Sequence, residues 1–270
     1  MSDQEARSTD MLESLLHGLA GHGLATRAFV LSLIPATLTS IGGLFGAIGL
    51  LGREKHLDAG LGFSAGVMLV ASFTSLLLPS IEIGGIKIAT LGFLAGIVLI
   101  IVLDRILPHE HLIKGYEGPE TLARRLRKIW LIVIAILIHN LPEGMAVGAS
   151  AVQGLENGLL MALAIGLQDI PEGFAVVYPL VMIYRKIGLP IAIGVLSGLS
   201  ETLMAVIIAL ITSHSISLLP PTLGIAAGAM IYVVSHEILP ETHRKGHEWL
   251  ASLGFITGFL VMLWLDVLLG

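Results

Sequence analysis

Apolar residues run along this chain in long blocks, separated by short polar stretches that hold nearly all of the charge. A helix rises 1.5 Å per residue, so ~20 apolar residues cross the ~30 Å hydrocarbon core of a bilayer. Eight blocks meet that length, at roughly 28–51, 60–79, 86–107, 129–151, 157–183, 188–212, 219–240 and 250–269. None alternates apolar with polar residues, as the shorter strands of a membrane β-barrel would. The expected fold is therefore an all-α polytopic membrane protein with eight transmembrane helices over residues 28–270. Inside the blocks, Gly42, Gly43, Gly46 and Gly49, then Gly62 and Gly66, Gly92 and Gly96, and Gly224 and Gly228 recur. Such spacing lets helix backbones approach closely in lipid, and packing is their expected role. Residues 1–27 mix Asp3, Glu5, Asp10, Glu13, His17 and His22 with short apolar runs. They lack the basic start and clean apolar core of a signal peptide, so a polar or interfacial tail is expected.

Composition agrees with this pattern. Of 270 residues, 55% are hydrophobic and 13% charged, against about 25% charged in soluble domains. The net charge of −5 and the lack of a basic tract give no reason to expect a nucleic-acid partner. Cysteine is absent, so any metal must be held by imidazole, carboxylate or amide groups. Lys and Arg set the orientation. The stretches after blocks 1, 3, 5 and 7 hold Arg53 and Lys55; Arg105, Lys114, Arg124, Arg125, Arg127 and Lys128; Arg185 and Lys186; Arg244 and Lys245. The other side holds Arg7, Arg27 and Lys87, twelve against three. The positive-inside rule then puts both termini outside the cytoplasm, and a multi-pass protein of the cell inner membrane is expected.

A weak internal repeat carries the chemistry. His139-Asn140-Leu141-Pro142-Glu143-Gly144 lies in block 4 and Gln168-Asp169-Ile170-Pro171-Glu172-Gly173 in block 5. Both read polar-polar-apolar-Pro-Glu-Gly, and adjacent antiparallel spans should bring them together near mid-membrane. His139 and Glu143 are four apart and share a helix face, which Asn140 borders; Gln168 and Asp169 stand in the same relation to Glu172. Pro142 and Pro171 remove an N–H each and free the carbonyls of Ile138 and Leu167, so bends that expose extra oxygens are expected. Gly144 and Gly173 are expected to leave room beside each glutamate. Glu201, in block 6, adds a further acid. Ionisable groups at such depth cost several kcal/mol, from ~2.5 upward, and usually face a cavity or a partner. Glu143, Asp169, Glu172 and Glu201 cannot all stay ionised in low dielectric without cations or protons, and one or two divalent ions would neutralise them. The donor types suit Zn²⁺, Fe²⁺, Mn²⁺ or Cd²⁺; missing thiolates argue against Cu(I).

A second cluster, His236-Glu237 followed by Glu241, His243 and His247, closes block 7, with Pro240 marking a bend. His236 and Glu237 still lie in an apolar run and are candidate ligands. Asp104, His109, Glu110 and His111 follow block 3, and His-rich short tracts can bind metal. His17, His22 and His214 read as ordinary surface histidines.

At these motifs the chain resembles the ZIP (Zrt/Irt-like) family of divalent-metal transporters, most closely its prokaryotic members. The residues that carry the likeness are the two Pro-Glu-Gly motifs, Glu201, His236-Glu237-Ile238-Leu239-Pro240-Glu241 and Ser64-Ala65-Gly66-Val67-Met68-Leu69, over about residues 28–269. The resemblance implies a path between segments 2, 4, 5 and 7 and uptake of Zn²⁺ above all, or of Fe²⁺, Mn²⁺ or Cd²⁺, into the cytoplasm. It implies a binuclear centre in which His139, Glu143, Gln168 and Glu172 form one site. Asn140, Glu143, Asp169, Glu172 and Glu201 form the other, and the glutamates bridge. It places His236 and Glu237 on the exit side and Met68 and Ser75 at the entrance. Many relatives have proline directly after the segment-6 glutamate where this chain has Thr202, so a different local bend is expected. The long His-rich cytoplasmic loop of many eukaryotic members is missing. Divalent ions and the bilayer are the expected partners, with a homodimer left open. The competing reading is an intramembrane zinc-dependent hydrolase whose metal activates water; no His-Glu-x-x-His motif is present, and a transporter rather than an enzyme is expected.

Overall fold

The computed structural model describes residues 21, 23–49, 54–107, 109–111, 115–117, 128–244 and 246–269. Nearly all of the expected N-terminal tail, and Arg53, Lys114, Arg124, Arg125, Arg127 and Lys245 of the orientation argument, lie outside the described residues. Helix α1 spans Leu24–Ala47. Helix α2, Glu54–Ala71, passes through a π-helical turn at Ser72–Leu77 into α3, Leu78–Ile106. Then come α4 (Lys128–Gln153), α5 (Leu155–Tyr184) and α6 (Gly188–His214). After a 3₁₀ turn, α7 (Leu219–Val233) runs through a second π turn, Val234–Ile238, into the short α8 (Leu239–Thr242), and α9 is Glu248–Leu269. In each π turn the ladder skips a residue: the N–H of Leu78 bonds the Phe73 carbonyl and that of Leu239 the Val234 carbonyl, both five back.

Among the described residues seven helices are long and apolar enough to cross a membrane, and one of them is the 52-residue run Lys55–Ile106. At 1.5 Å per residue that run measures ~78 Å, more than twice a ~30 Å hydrocarbon core. It is interrupted at Gly85, where φ 78° and ψ 161° break the helix. Leu107 leaves the helix with ψ 124° because Pro108 follows it. Beyond it, the chain forms a small antiparallel hairpin, β1 (His109–His111) with β2 (Gly115–Glu117), pairing His109 with Glu117 and His111 with Gly115. Outside a helix, strand pairing gives the backbone its hydrogen bonds.

Small residues recur in the interior beside larger ones such as Met68, Leu76 and Ile165. Ala65, Ala89, Ala146, Ala164, Ala226 and Ala229 are fully buried, while Ile86, Leu91, Leu203 and Trp264 stand more than 60% exposed. So many exposed large apolar side chains fit a lipid surrounding, in which helices associate by close backbone contact. Helix α1 packs along α5 and α6, and α4 along α5 and α6; α2 packs along α9 and α3 along α7. The two groups meet where α2 faces α5 and α4 faces α7. The Pro-Glu-Gly motifs lie on α4 and α5, beside this seam.

Candidate metal centre

Helices α4 and α5 run on through Pro142 and Pro171 and bring their motifs side by side. Glu143 and Gln168 are 0% exposed, and Asp169 and Glu201 1%. The Gln168 amide Nε2 donates to Glu143 Oε1 at 2.7 Å, joining the two motifs. Asn140 Nδ2 lies 2.9 Å from Glu201 Oε1, 2.7 Å from Ser197 Oγ and 2.8 Å from the Ser197 carbonyl, which ties the first motif to α6. Thr39 of α1 has its hydroxyl 3.2 Å from Asp169 Oδ2 and 2.9 Å from the Pro35 carbonyl. Across the seam, Ser64 of α2 donates to the Gln168 carbonyl at 2.8 Å. His139 stands between two acids, Nε2 3.7 Å from Glu172 Oε2 and Nδ1 3.6 Å from Glu237 Oε2.

Two sets of potential ligand atoms result. One atom each of His139, Glu143 and Glu172 lie within 4.8 Å of one another, and so do one atom each of Glu143, Asp169 and Glu201. Glu143 belongs to both. The centre of such a triangle is at most about 2.8 Å from each atom, so side chains need to close by less than about 1 Å to reach the ~2.0–2.2 Å of a Zn–O or Zn–N bond. Four buried acceptors in this region, Glu143 Oε2, Gln168 Oε1, Glu172 Oε1 and Glu201 Oε2, have no hydrogen-bond donor. Buried oxygens are normally paired, and unpaired carboxylate oxygens in a low-dielectric interior are costly. A cation beside them would satisfy the carboxylate oxygens among them, and oxygen donors with one imidazole suit a divalent transition metal.

A cavity adjoins this cluster. Thr39, Asn140, Asp169, Ser197 and Glu201 line it, together with Glu237, Ile238 and Glu241 of the π turn and α8. Of the predicted site residues, His139, Asn140, Asp169, Glu172, Glu201 and Glu237 face this cavity, and Glu143 and Gln168 lie behind them as buried partners. His236 does not join them. It is exposed and stacks on the Tyr232 ring, centroids 5.0 Å apart and planes 23° off parallel. Successive residues of a helix point ~100° apart, and here Glu237 enters the cavity while His236 turns away from it. Met68 is fully buried in the core, and Ser75 donates to Asp266 Oδ1 at 3.0 Å. His109 and His111 lie in β1, with side chains outside the described residues, as are His17 and His22. His214 is exposed at the end of α6, its ring bonded to the Leu210 carbonyl.

The motif glycines act differently from expectation. A Cβ on Gly144 would sit 2.7 Å from Met204 Cβ and against the Glu201 backbone, and one on Gly173 would overlap the Thr39 carbonyl. The space is filled by neighbouring helices, so glycine here brings Glu201 and Thr39 to the site. Thr202, directly after Glu201, ties α6 to α1 through a 3.2 Å bond to the Ser32 carbonyl. Thr39 and Ser197 were not foreseen. Ser197 stands four before Glu201, a spacing that marks a shared face; Thr39 sits in an apolar block with no motif around it.

Comparison with known proteins agrees with the geometry. A family model described as ZIP zinc transporter matches residues 109–266, more than half of the chain. Zinc transporter ZIPB of Bordetella bronchiseptica is 44% identical over 243 residues, covering 86% of this chain and 78% of the relative. Zinc transporter GufA of Myxococcus xanthus is 35% identical over 252 residues, covering 89% and 98%. Zinc transporter ZIP11 of Homo sapiens is 30% identical over 341 residues, covering 93% and 100%. These relatives are transporters and not enzymes, so the hydrolase alternative has no support. Paired Pro-Glu-Gly helices, a buried His–carboxylate cluster and a likeness that runs along most of the sequence have one explanation: the chain belongs to the ZIP zinc transporter family.

Proposed function

We propose that this protein carries Zn²⁺ across the inner membrane into the cytoplasm, with His139, Glu143, Gln168 and Glu172 receiving one ion. Asn140, Glu143, Asp169, Glu172 and Glu201 receive a second, and Glu143 and Glu172 are shared. Fe²⁺, Mn²⁺ and Cd²⁺ are alternative cargo for the same donors. The observation that carries this reading is the set of four buried, donor-less oxygens around two overlapping ligand triangles. The relatives named as zinc transporters favour zinc. Glu237 and Glu241 form the exit, because the cavity runs from the cluster to them; His236 faces away and is left out of the ligand set.

Counting the arms on either side of Gly85 as separate crossings gives eight spans, an even number that places both termini on one side. The Lys and Arg distribution puts that side outside the cytoplasm. The experiment is zinc uptake into proteoliposomes holding a metal-sensitive dye, with Fe²⁺, Mn²⁺ and Cd²⁺ as competitors. Saturable dye response in loaded vesicles is expected. No flux above protein-free vesicles for any of the four ions would overturn the proposal.

A further inference from the structure

One turn of α5 has two working faces. Asp169 and Glu172 look into the metal cavity, whereas Ile170, Pro171 and Phe174 line a separate cleft between α5, α1 and α2. Leu57 and Phe174, at 7% and 6% exposure, form the floor of this cleft, while Phe45, at 39%, and the exposed His56 stand at its mouth. His56 is its one polar lining residue, and three of the others are phenylalanines. Gly60 lets α2 rest against Pro171, since a Cβ there would lie 2.8 Å from Pro171 Cβ.

The geometry points to a bilayer phospholipid as occupant: we propose that one acyl chain lies in this cleft behind Pro171, with its headgroup at the level of His56. Depth supports this. Phe45 is near the end of α1 and His56 near the start of α2, whereas Pro171 lies close to the middle of the 30-residue α5. From His56 to Phe63 the cleft descends ~10 Å along α2 at 1.5 Å per residue. It thus runs from the interface toward mid-bilayer, polar at the outer end and apolar within, as a lipid does. Surroundings support it too. Ile41, Leu44 and Ile48 beside the mouth are 36%, 49% and 61% exposed, which is the wall a spanning helix shows to lipid. An occupant leans on the turn that carries Asp169 and Glu172, from the side opposite the metal.

The test uses the wild-type chain in proteoliposomes doped with phosphatidylcholine bearing a diazirine midway along one acyl chain. After irradiation, adducts are mapped by peptide mass spectrometry. Adducts at the buried Leu57 and Phe174, several-fold above the fully buried Leu180, are expected, and excess unlabelled phospholipid should reduce them. Labelling confined to exposed positions such as Ile41, Leu44 and Ile48, with Leu57 and Phe174 no higher than Leu180, means an ordinary lipid annulus and overturns the proposal. So does labelling of Leu57 and Phe174 by a diazirine fatty acid alone, or closure of the cleft by a second copy of the chain. No metal is needed, so failure here leaves the zinc reading untouched.

Discussion

Replacing Glu143 by glutamine isolates the charge that both ligand triangles share. The substitution is nearly isosteric, and the side-chain oxygen that remains still accepts the 2.7 Å bond from Gln168 Nε2. The apo fold should therefore survive. The cost to the metal is electrostatic. With ligand atoms within 4.8 Å of one another, an ion sits at most about 2.8 Å from the carboxylate, and 332·2/(20 × 2.8) gives ~12 kcal/mol of gross attraction at an effective dielectric of ~20. Much of this is offset by the cost of burying the charge and by the amide oxygen that replaces it. If only a quarter survives, ~3 kcal/mol remains, roughly a 100-fold loss of zinc affinity at 1.36 kcal/mol per decade. Zinc binding by calorimetry, zinc flux in proteoliposomes and thermal unfolding without metal should be measured together. The expected pattern is an apo melting temperature close to wild type, affinity down about 100-fold and flux lost. Wild-type affinity and flux in Glu143→Gln would refute the shared-ligand argument, because no other residue sits in both triangles.

Further outcomes follow from the same geometry. Glu172→Ala should abolish zinc flux while the chain still inserts, checked by uptake and by membrane yield. Gly173→Ala, which forces a Cβ onto the Thr39 carbonyl, should cost about 1–3 kcal/mol as an overpacked contact and lower the melting temperature. Because His139 must be neutral and the carboxylates ionised to ligate, zinc loading should release protons, and apparent affinity should fall between about pH 7 and pH 5; calorimetry in buffers of different ionisation enthalpy counts the protons. Single cysteines near Glu120 and Asn157 probe orientation in intact cells: an impermeant reagent should label the second and not the first.

Spacing along the sequence located the blocks and the two Pro-Glu-Gly helices because lipid imposes both signals. A span must be apolar for about twenty residues, and an acid inside one must have a reason to be there. Block edges were less legible. Block 1 was placed at 28–51, but the helix is Leu24–Ala47; Arg27 is accommodated by reaching the Ala151 carbonyl at 3.5 Å, and Gly49 at φ 70° follows the helix end. The gap between blocks 2 and 3 proved helical up to Gly85, since a helix in lipid continues wherever its backbone can bond to itself. Thr39, Ser64 and Glu241 reach the site region by tertiary packing from elements that carry no repeat of their own. The opposite fates of His236 and Glu237 were hidden as well, because both lie in one apolar run and the spacing does not say which face of it meets a cavity.

That turn amounts to an inserted residue held in the helix. Each residue of an α-helix advances ~100° about the axis, so a ladder that skips one residue shifts the phase of everything after it. Glu237 and Glu241 point along the cavity on the strength of that offset. Deleting Val234 or Ser235 would keep both glutamates and every motif, restore four-back bonding, and swing the acids away from the cavity. Residue count constrains this turn as much as residue identity does: shortened by one residue, with Glu237 and Glu241 intact, it should turn both side chains away from the cavity.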